Sequence, residues 1–398
     1  MAGALNLRHV LALAQTVRSG SISGAASAVG MSQPALTQAI ARLEAATGVK
    51  LLERGPGGVT PTDGGILFAA RAEAAQAALA AAYQPFRKGG IGGRSGAERD
   101  LTAAQAQALI ALADGGSYVA AAAASGFAQP SLHRAIGDLE RSCGVALIER
   151  QGRNVALTEA GQRLARACRL AIAELDAATD ELAVLAGRDQ GTLRVAAAAG
   201  ALARLLPNTV AHFLQLHKPV TIELVEAGAD AGDRLRDGRL DALLAAEPAE
   251  GFAPGLLAEP LMDESFAVLA RAGHPLSAAT AGLVRLATFS WVLPPPGSDE
   301  RRLWEGMFLA GGLYPPAVSV TCPSAAACLD IAAASDMLTV ASTLVARAPD
   351  LAALAAPLPH PRRELALVTR TGWFPTPAQA AFLDEVRSAA AALDRGDR

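Results

Sequence analysis

The chain has 398 residues, a formal net charge of -3, 51% hydrophobic and 18% charged residues, which fits a globular protein of two to four domains and excludes a uniformly basic nucleic-acid binder. The charge is uneven: residues 1–190 carry 18 Lys/Arg against 16 Asp/Glu, and residues 191–398 carry 17 against 22, so the front half is open to DNA binding. Arg8, His9 and Arg18 interrupt any leader-like apolar run, and Cys143, Cys168, Cys322 and Cys328 form no Cys-x-x-Cys pair, so a cytoplasmic protein without a membrane span or disulfide scaffold is expected.

The first half is organised by a gap-free repeat with an offset of 96 residues: Ser21 and Ser117, Gly30 and Gly126, Gln33-Pro34 and Gln129-Pro130, Glu44 and Glu140, Glu53-Arg54 and Glu149-Arg150, Thr62 and Thr158. Each copy reads as two short helices, a turn, a third helix, a strand pair and a longer helix. Ser21 suits the N-cap of a helix through about Val29, Gly30 the turn, and Ser32 the next N-cap, with Pro34 in a first turn where its missing N–H costs nothing. Leu36, Ile40 and Leu43 then share one face, and Gln33, Pro34, Thr37, Gln38 and Arg42 lie on the other. A polar, donor-rich helix after a tight turn is what a major-groove recognition helix requires; an ordinary helical domain with a solvated face has the same spacing.

The run Ser32-Gln33-Pro34-Ala35-Leu36-Thr37, followed by Leu43-Glu44 and Leu51-Leu52-Glu53-Arg54, resembles the winged helix-turn-helix domain of LysR-type transcription regulators. The resemblance spans about residues 5–85 and returns over 101–186 through Ala128-Gln129-Pro130-Ser131-Leu132 and Leu147-Ile148-Glu149-Arg150. It implies DNA contacts from Ser32, Gln33, Pro34, Thr37, Gln38, Arg42 and Arg54 in the first copy, and from Gln129, Pro130, His133, Arg134 and the wing residue Arg153 in the second. The copies differ: Asp138 stands where the first has Arg42, and Gly137 weakens the second recognition helix. The expected domains are 1–86, a Gly-rich basic linker over 87–100, and 101–157.

A helix from about Thr158 to Ala186 carries Leu164, Cys168, Ala171, Leu175, Ala178, Leu182 and Leu185 at alternating spacings of four and three, a heptad seam. The resemblance implies that such a helix, here 158–188, pairs chains, so Leu164, Leu175, Leu182 and Leu185 are expected to hold a homodimer or, paired further, a homotetramer. The first copy's equivalent, Phe68, Ala72, Ala75, Leu79 and Ala82, is expected to be cut short by Pro85 and to bury less.

From Gly191 short apolar runs alternate with helices, implying an α/β fold with mainly parallel sheets. Residues 191–398 resemble the LysR effector domain, two-lobed like a periplasmic binding protein, with lobe one at about 191–270 and 370–398 and lobe two at about 271–369. Arg271–Leu276 matches the family's first crossover, and Arg370–Trp373 the return; Trp291–Gly297 is similar to a sugar-responsive branch. Helix N-termini facing the cleft would bind a small-molecule effector of unassigned identity, with Ala199, Gly200, Ser298, Arg301, Cys322, Ser324 and Ser342 as candidates; plain N-capping is the alternative role for the serines. The expected fold is therefore two N-terminal winged helix-turn-helix domains followed by a periplasmic-binding-protein-like effector domain. No cofactor is expected; the partners are double-stranded operator DNA, the effector, further copies of the chain and, for an activator, RNA polymerase. The six histidines have no metal-ligand spacing, and no nucleophile elbow, phosphate loop or dinucleotide motif is present, which argues against an enzyme. A redox sensor would need Cys322 and Cys328 to pair, which requires the helix start between them to rearrange.

Overall fold

The computed structural model describes residues 7–55, 58–88, 101–152, 154–188, 191–217, 220–247, 251–277, 282–345, 350–359 and 362–396. They form two compact units, one built mainly on Met1–Gly191 and the other on Thr192–His217, Ile222–Arg236 and Leu240–Arg398.

In the first unit, α1 (Leu7–Ser19), α2 (Ile22–Ala28), α3 (Gln33–Thr47), the hairpin β1 (Leu52–Gly55) and β2 (Gly58–Pro61), and α4 (Asp63–Lys88) are followed by the same order again. The second series is α5 (Ala103–Gly115), α6 (Tyr118–Ser125), α7 (Gln129–Cys143), β3 (Ile148–Gln151), β4 (Asn154–Leu157) and α8 (Glu159–Leu185). The hydrogen bonds recur with the sequence. Ser21 accepts from Gly24 N at 3.2 Å, and Ser117 from Ala120 N at 3.1 Å. Glu44 accepts from Leu51 N and Leu52 N at 3.0 and 3.3 Å, and Glu140 from Leu147 N and Ile148 N at 2.8 and 3.2 Å. Each carboxylate thus ties the third helix to the start of its hairpin. Gly65 and Gly161 sit against the chain: a Cβ at either would stand 2.0 Å from the carbonyl oxygen of Leu51 or Leu147.

The two long helices pack on each other, antiparallel, inside one chain. Near the start of α4, Gly64 lies against Leu182 close to the end of α8. Near its other end, the guanidinium of Arg163, early in α8, lies 5.9 Å from the ring centre of Phe86. The seam residues Phe68, Ala72, Leu79, Leu164, Leu175 and Leu182 are all at most 2% exposed and belong to one continuous core. Burying each of the larger ones contributes about 1.5–3 kcal/mol. This corrects two expectations. Leu164, Leu175 and Leu182, expected to face a second chain, are buried within this one, Leu182 against Gly64 of α4, and Leu185 is left 53% exposed. Two halves of a seam in one chain meet at a high effective concentration, which favours the internal pairing. Pro85 does not end α4: it sits in the last turn, where it removes one hydrogen bond, and Phe86 beyond it stays buried.

The second unit holds a mixed seven-stranded sheet. β5 (Thr192–Ala197), β6 (Thr221–Glu226) and β7 (Ala242–Ala246) lie on one side of the long strand β8 (Leu256–Arg271). After it β9 (Val292–Leu293) and β10 (Val320–Thr321) form a separate two-stranded sheet, β11 (Thr339–Ser342) and β12 (Leu351–Leu354) pair with the far end of β8, and β13 (Arg362–Arg370) returns between β7 and β8. Helices α9 (Leu206–Leu216), α10 (Ala231–Arg236) and α14 (Pro377–Gly396) belong to the first lobe; α11 (Leu283–Leu286), α12 (Asp299–Ala310) and α13 (Ala325–Ala333) to the second. The lobe boundary differs from expectation. β8 pairs with β13 over Leu256–Ser265 and with β11 and β12 over Phe266–Arg271. The crossing therefore falls near Ser265, and Arg271–Leu276 ends the strand inside lobe two. The return falls before Arg362, and β13 joins β7 in lobe one. The sheet is also less parallel than expected: β5–β7 and β9–β10 are parallel, but every pairing of β8 and β13 is antiparallel.

Candidate recognition helices and ligand cleft

Helix α3 begins at Ser32, whose hydroxyl accepts from Ala35 N at 3.3 Å, and ends at Gly48 with φ 72°. Leu36, Ala39, Ile40 and Leu43 face the core, while Gln33, Pro34, Gln38 and Arg42 are exposed and Thr37 is half-buried. Arg54 is exposed on the hairpin. Burial, then the nearby charges of Arg42 and Arg8, lower the pKa of His9. Arg8, which sequence reasoning used only against a leader, therefore belongs with Arg42 to a positive cluster at the α1–α3 end of the unit.

Helix α7 has the same frame with different chemistry. Its N-cap, Ala128, has no side chain to accept a hydrogen bond, and Gly144 closes it with φ 71°. Gln129, Pro130, His133 and Arg134 are exposed. His133 stacks on Tyr118, with ring centres 3.6 Å apart and 19° between planes, so packing holds its ring. Asp138 pairs with Arg141 on the next turn, which partly offsets the charge that would repel phosphate. Arg153 lies outside the described residues, as do linker residues 89–100.

In the second unit a small recess, partly open to solvent and with room for about one water molecule, is lined by Ala199, Pro294, Glu300, Ala325, Cys328 and Ser342 among others. Of the expected residues, it brings Ala199 and Ser342 to the wall. Gly200 is next to them: a Cβ there would meet Glu264 Oε1 and Ser342 Oγ, so any larger residue must displace the buried Glu264 carboxylate. Ser298 and Ser324 serve as N-caps, accepting from Arg301 N and Ala327 N at 3.2 and 3.3 Å. Arg301 turns along its own helix to Glu305 at 2.9 Å and lies 4.8 Å over Trp304. Cys322 contributes its carbonyl, which accepts from Cys328 Sγ at 3.5 Å.

Sequence reasoning missed the charged group beside this recess. Arg363, at the start of β13, donates to Glu264 through Nε and Nη2 at 2.9 and 2.8 Å and also to Asp299. One guanidinium thus ties β8 and β13 to the N-terminus of α12. Burial pushes the Asp299 carboxyl up, but Arg363 outweighs it and holds the pKa below its ordinary value. Burial raises the pKa of Glu300. Glu264 is wholly buried. The missed signal was Asp299-Glu300 at a helix start, a carboxylate pair favoured there by the dipole.

The arrangement is that of a protein with helix-turn-helix faces and, separately, a two-lobed ligand fold. The family model for the LysR substrate binding domain matches residues 186–391, and that for the bacterial regulatory helix-turn-helix protein, lysR family, matches 7–66 and 103–162. The chain belongs to the LysR family of transcription regulators, which bind DNA and small-molecule effectors. It is 30% identical to the HTH-type transcriptional regulator GalR of Pseudomonas putida over 96% of each chain. It is 28% identical to GbpR of Azospirillum brasilense over 61% of this chain and 71% of that one. A full-length OxyR variant from Pseudomonas aeruginosa aligns with a TM-score of 0.50 at 22% identity, covering 72% of this chain and 96% of its own. Among the described residues no single helix is long and apolar enough to cross a membrane.

Proposed function

We propose that both helix-turn-helix units read DNA, α3 and α7 each entering a major groove, and that a small effector in the recess of the α/β unit controls that binding in the cytoplasm. The observation that carries the reading is the recurrence, 96 residues apart, of one hydrogen-bonded frame with an exposed polar face on each third helix. Two comparisons support it. The family model's two matches fall on the two frames. The structural relative aligned along nearly all its own length leaves about a quarter of this chain without a counterpart.

The residues proposed to face bases or backbone are Ser32, Gln33, Pro34, Thr37, Gln38, Arg42 and Arg54 in the first unit, and Gln129, Pro130, His133 and Arg134 in the second. Gln38 and Arg134 occupy matching positions; glutamine suits adenine and arginine suits guanine, each good bidentate contact giving about 1–3 kcal/mol of discrimination. Binding-site selection with Gln38→Ala and with Arg134→Ala tests the reading. Each is expected to relax the preference at a different operator position. If Arg134→Ala leaves the selected sequence and affinity unchanged, α7 is a scaffold only.

The lining is mainly apolar with few polar groups, the chemistry of a small-molecule site, and the recess must widen to admit an effector. Ala199, Gly200, Ser342 and Glu300 are the proposed effector contacts. Ser298, Arg301, Cys322 and Ser324 support the helix starts around it.

A further inference from the structure

The α4–α8 seam contains one buried charged group, and it is asymmetric. Arg71, in α4, donates to Glu181 through Nη2 at 2.5 Å and Nε at 3.2 Å, and to Glu174 through Nη1 at 2.8 Å. The side chains of Arg71, Glu181 and Glu174 are 4%, 5% and 19% exposed. The 96-residue repeat keeps the apolar seam positions but not these. Arg71 corresponds to Ala167 in α8, and Glu174 and Glu181 correspond to Ala78 and Pro85 in α4. An α8 helix paired with a second α8 would set two glutamates against alanine. An α4 helix paired with a second α4 would bury Arg71 with no carboxylate. Either leaves charge buried and unpaired, which is strongly unfavourable, whereas α4 against α8 satisfies all three groups.

We propose that this triad is a pairing code: α4 pairs with α8, here within one chain, and rejects a second α4, as α8 rejects a second α8. One chain then supplies a complete two-helix reading head, with α3 and α7 as its non-identical halves. The pairing stands on the seam alone; its consequence for DNA rests on both units being readers, so stability and DNA binding are measured separately.

The test uses full-length chains. Arg71→Glu in one chain, and Glu174→Arg with Glu181→Arg in another, should each lower the thermal midpoint and weaken operator binding at least about tenfold. A single chain carrying all three substitutions should regain much of the midpoint. An equimolar, co-refolded mixture of the two defective chains should not. Recovery in the mixture would show pairing between chains and overturn the proposal, as would an unchanged midpoint for Arg71→Glu. Should the variants fail to fold, Gly64→Cys with Leu182→Cys in one otherwise unaltered full-length chain decides, since these positions touch across the seam: a disulfide within the chain on mild oxidation is expected, and a disulfide-linked dimer overturns the proposal. A correct midpoint pattern with unchanged DNA affinity would instead leave the pairing intact and count against α7 as a reader.

Discussion

Glu44 and Glu140 occupy the same place in two frames, and each holds two backbone N–H groups that the turn into the hairpin leaves without strand partners. Burial raises the Glu44 pKa, but its bonds from Leu51 N, Lys50 and Leu52 N outweigh that and lower it overall. Its contribution is therefore full above the ordinary carboxylate range and fades as pH falls through the depressed value. Glu140→Ala strands the N–H groups of Leu147 and Ile148 and should cost about 1–3 kcal/mol, read as a lower thermal midpoint at pH 7. Glu300 has the opposite sign. Burial favours its protonated form, so the charged form is a liability above its ordinary value of 4.5. Glu300→Gln should raise the midpoint at pH 7 and change it little at pH 4. A loss at pH 7 would mean that the charge is used structurally. Cys328 is 3% exposed, its thiol is pushed up to about 12 chiefly by burial, and its Sγ donates to the Cys322 carbonyl. A protonated, covered thiol oxidises slowly, so brief peroxide treatment should leave operator affinity unchanged; a peroxide-dependent shift that Cys328→Ser abolishes would refute this.

At the scale of the element, most of the first unit was legible because its signals are local. Caps, turn glycines and a 3.6-residue apolar period reappear in α2, α3 and α6, capped by Ser21, Ser32 and Ser117, while α7 keeps the period and its closing glycine but starts at Ala128 without a side-chain cap. The long helices were placed within a residue or two at α8, but the partner of its seam was not legible, since a heptad says that something packs there without saying what. Arg71 and Glu181 stand 110 residues apart, beyond any periodicity. In the second unit the first half of β8 and all of β12 escaped notice. Pro260 and a register shift opposite Leu365/Ala366 break the alternation in β8, and Pro is tolerated in a strand only at such irregularities or edges. The exposed faces give a further expectation. Arg42→Ala should weaken binding to all sequences alike and lower the salt slope by about one, and Arg8→Ala should do the same if the positive cluster lies on phosphate. A changed sequence preference in either variant would move that residue from backbone to base contact.

At the scale of the whole molecule, the seam substitution distinguishes two assemblies. Leu175→Asp with Leu182→Asp would dissolve a dimer held by α8. With both residues buried within the chain, and Leu182 against Gly64 of α4, it should instead leave the light-scattering mass per particle unchanged. It should broaden or split thermal unfolding and lower DNA affinity. A fall to half the mass would restore the inter-chain seam.

A reading head made from two identical chains is bound by symmetry: any substitution enters it twice, and both halves must tolerate it. The offset partners inside this chain are under no such bond. Ser32 has become Ala128, Arg42 has become Asp138, and Thr37 has become a histidine stacked on Tyr118, each change falling on one half alone. With both units reading DNA, as proposed, a single gene carries the latitude of a heterodimer without needing two products in equal supply. If both units read DNA, its target should be a degenerate inverted pair of unlike half-sites, so a genome search that scores perfect inverted repeats would pass over it.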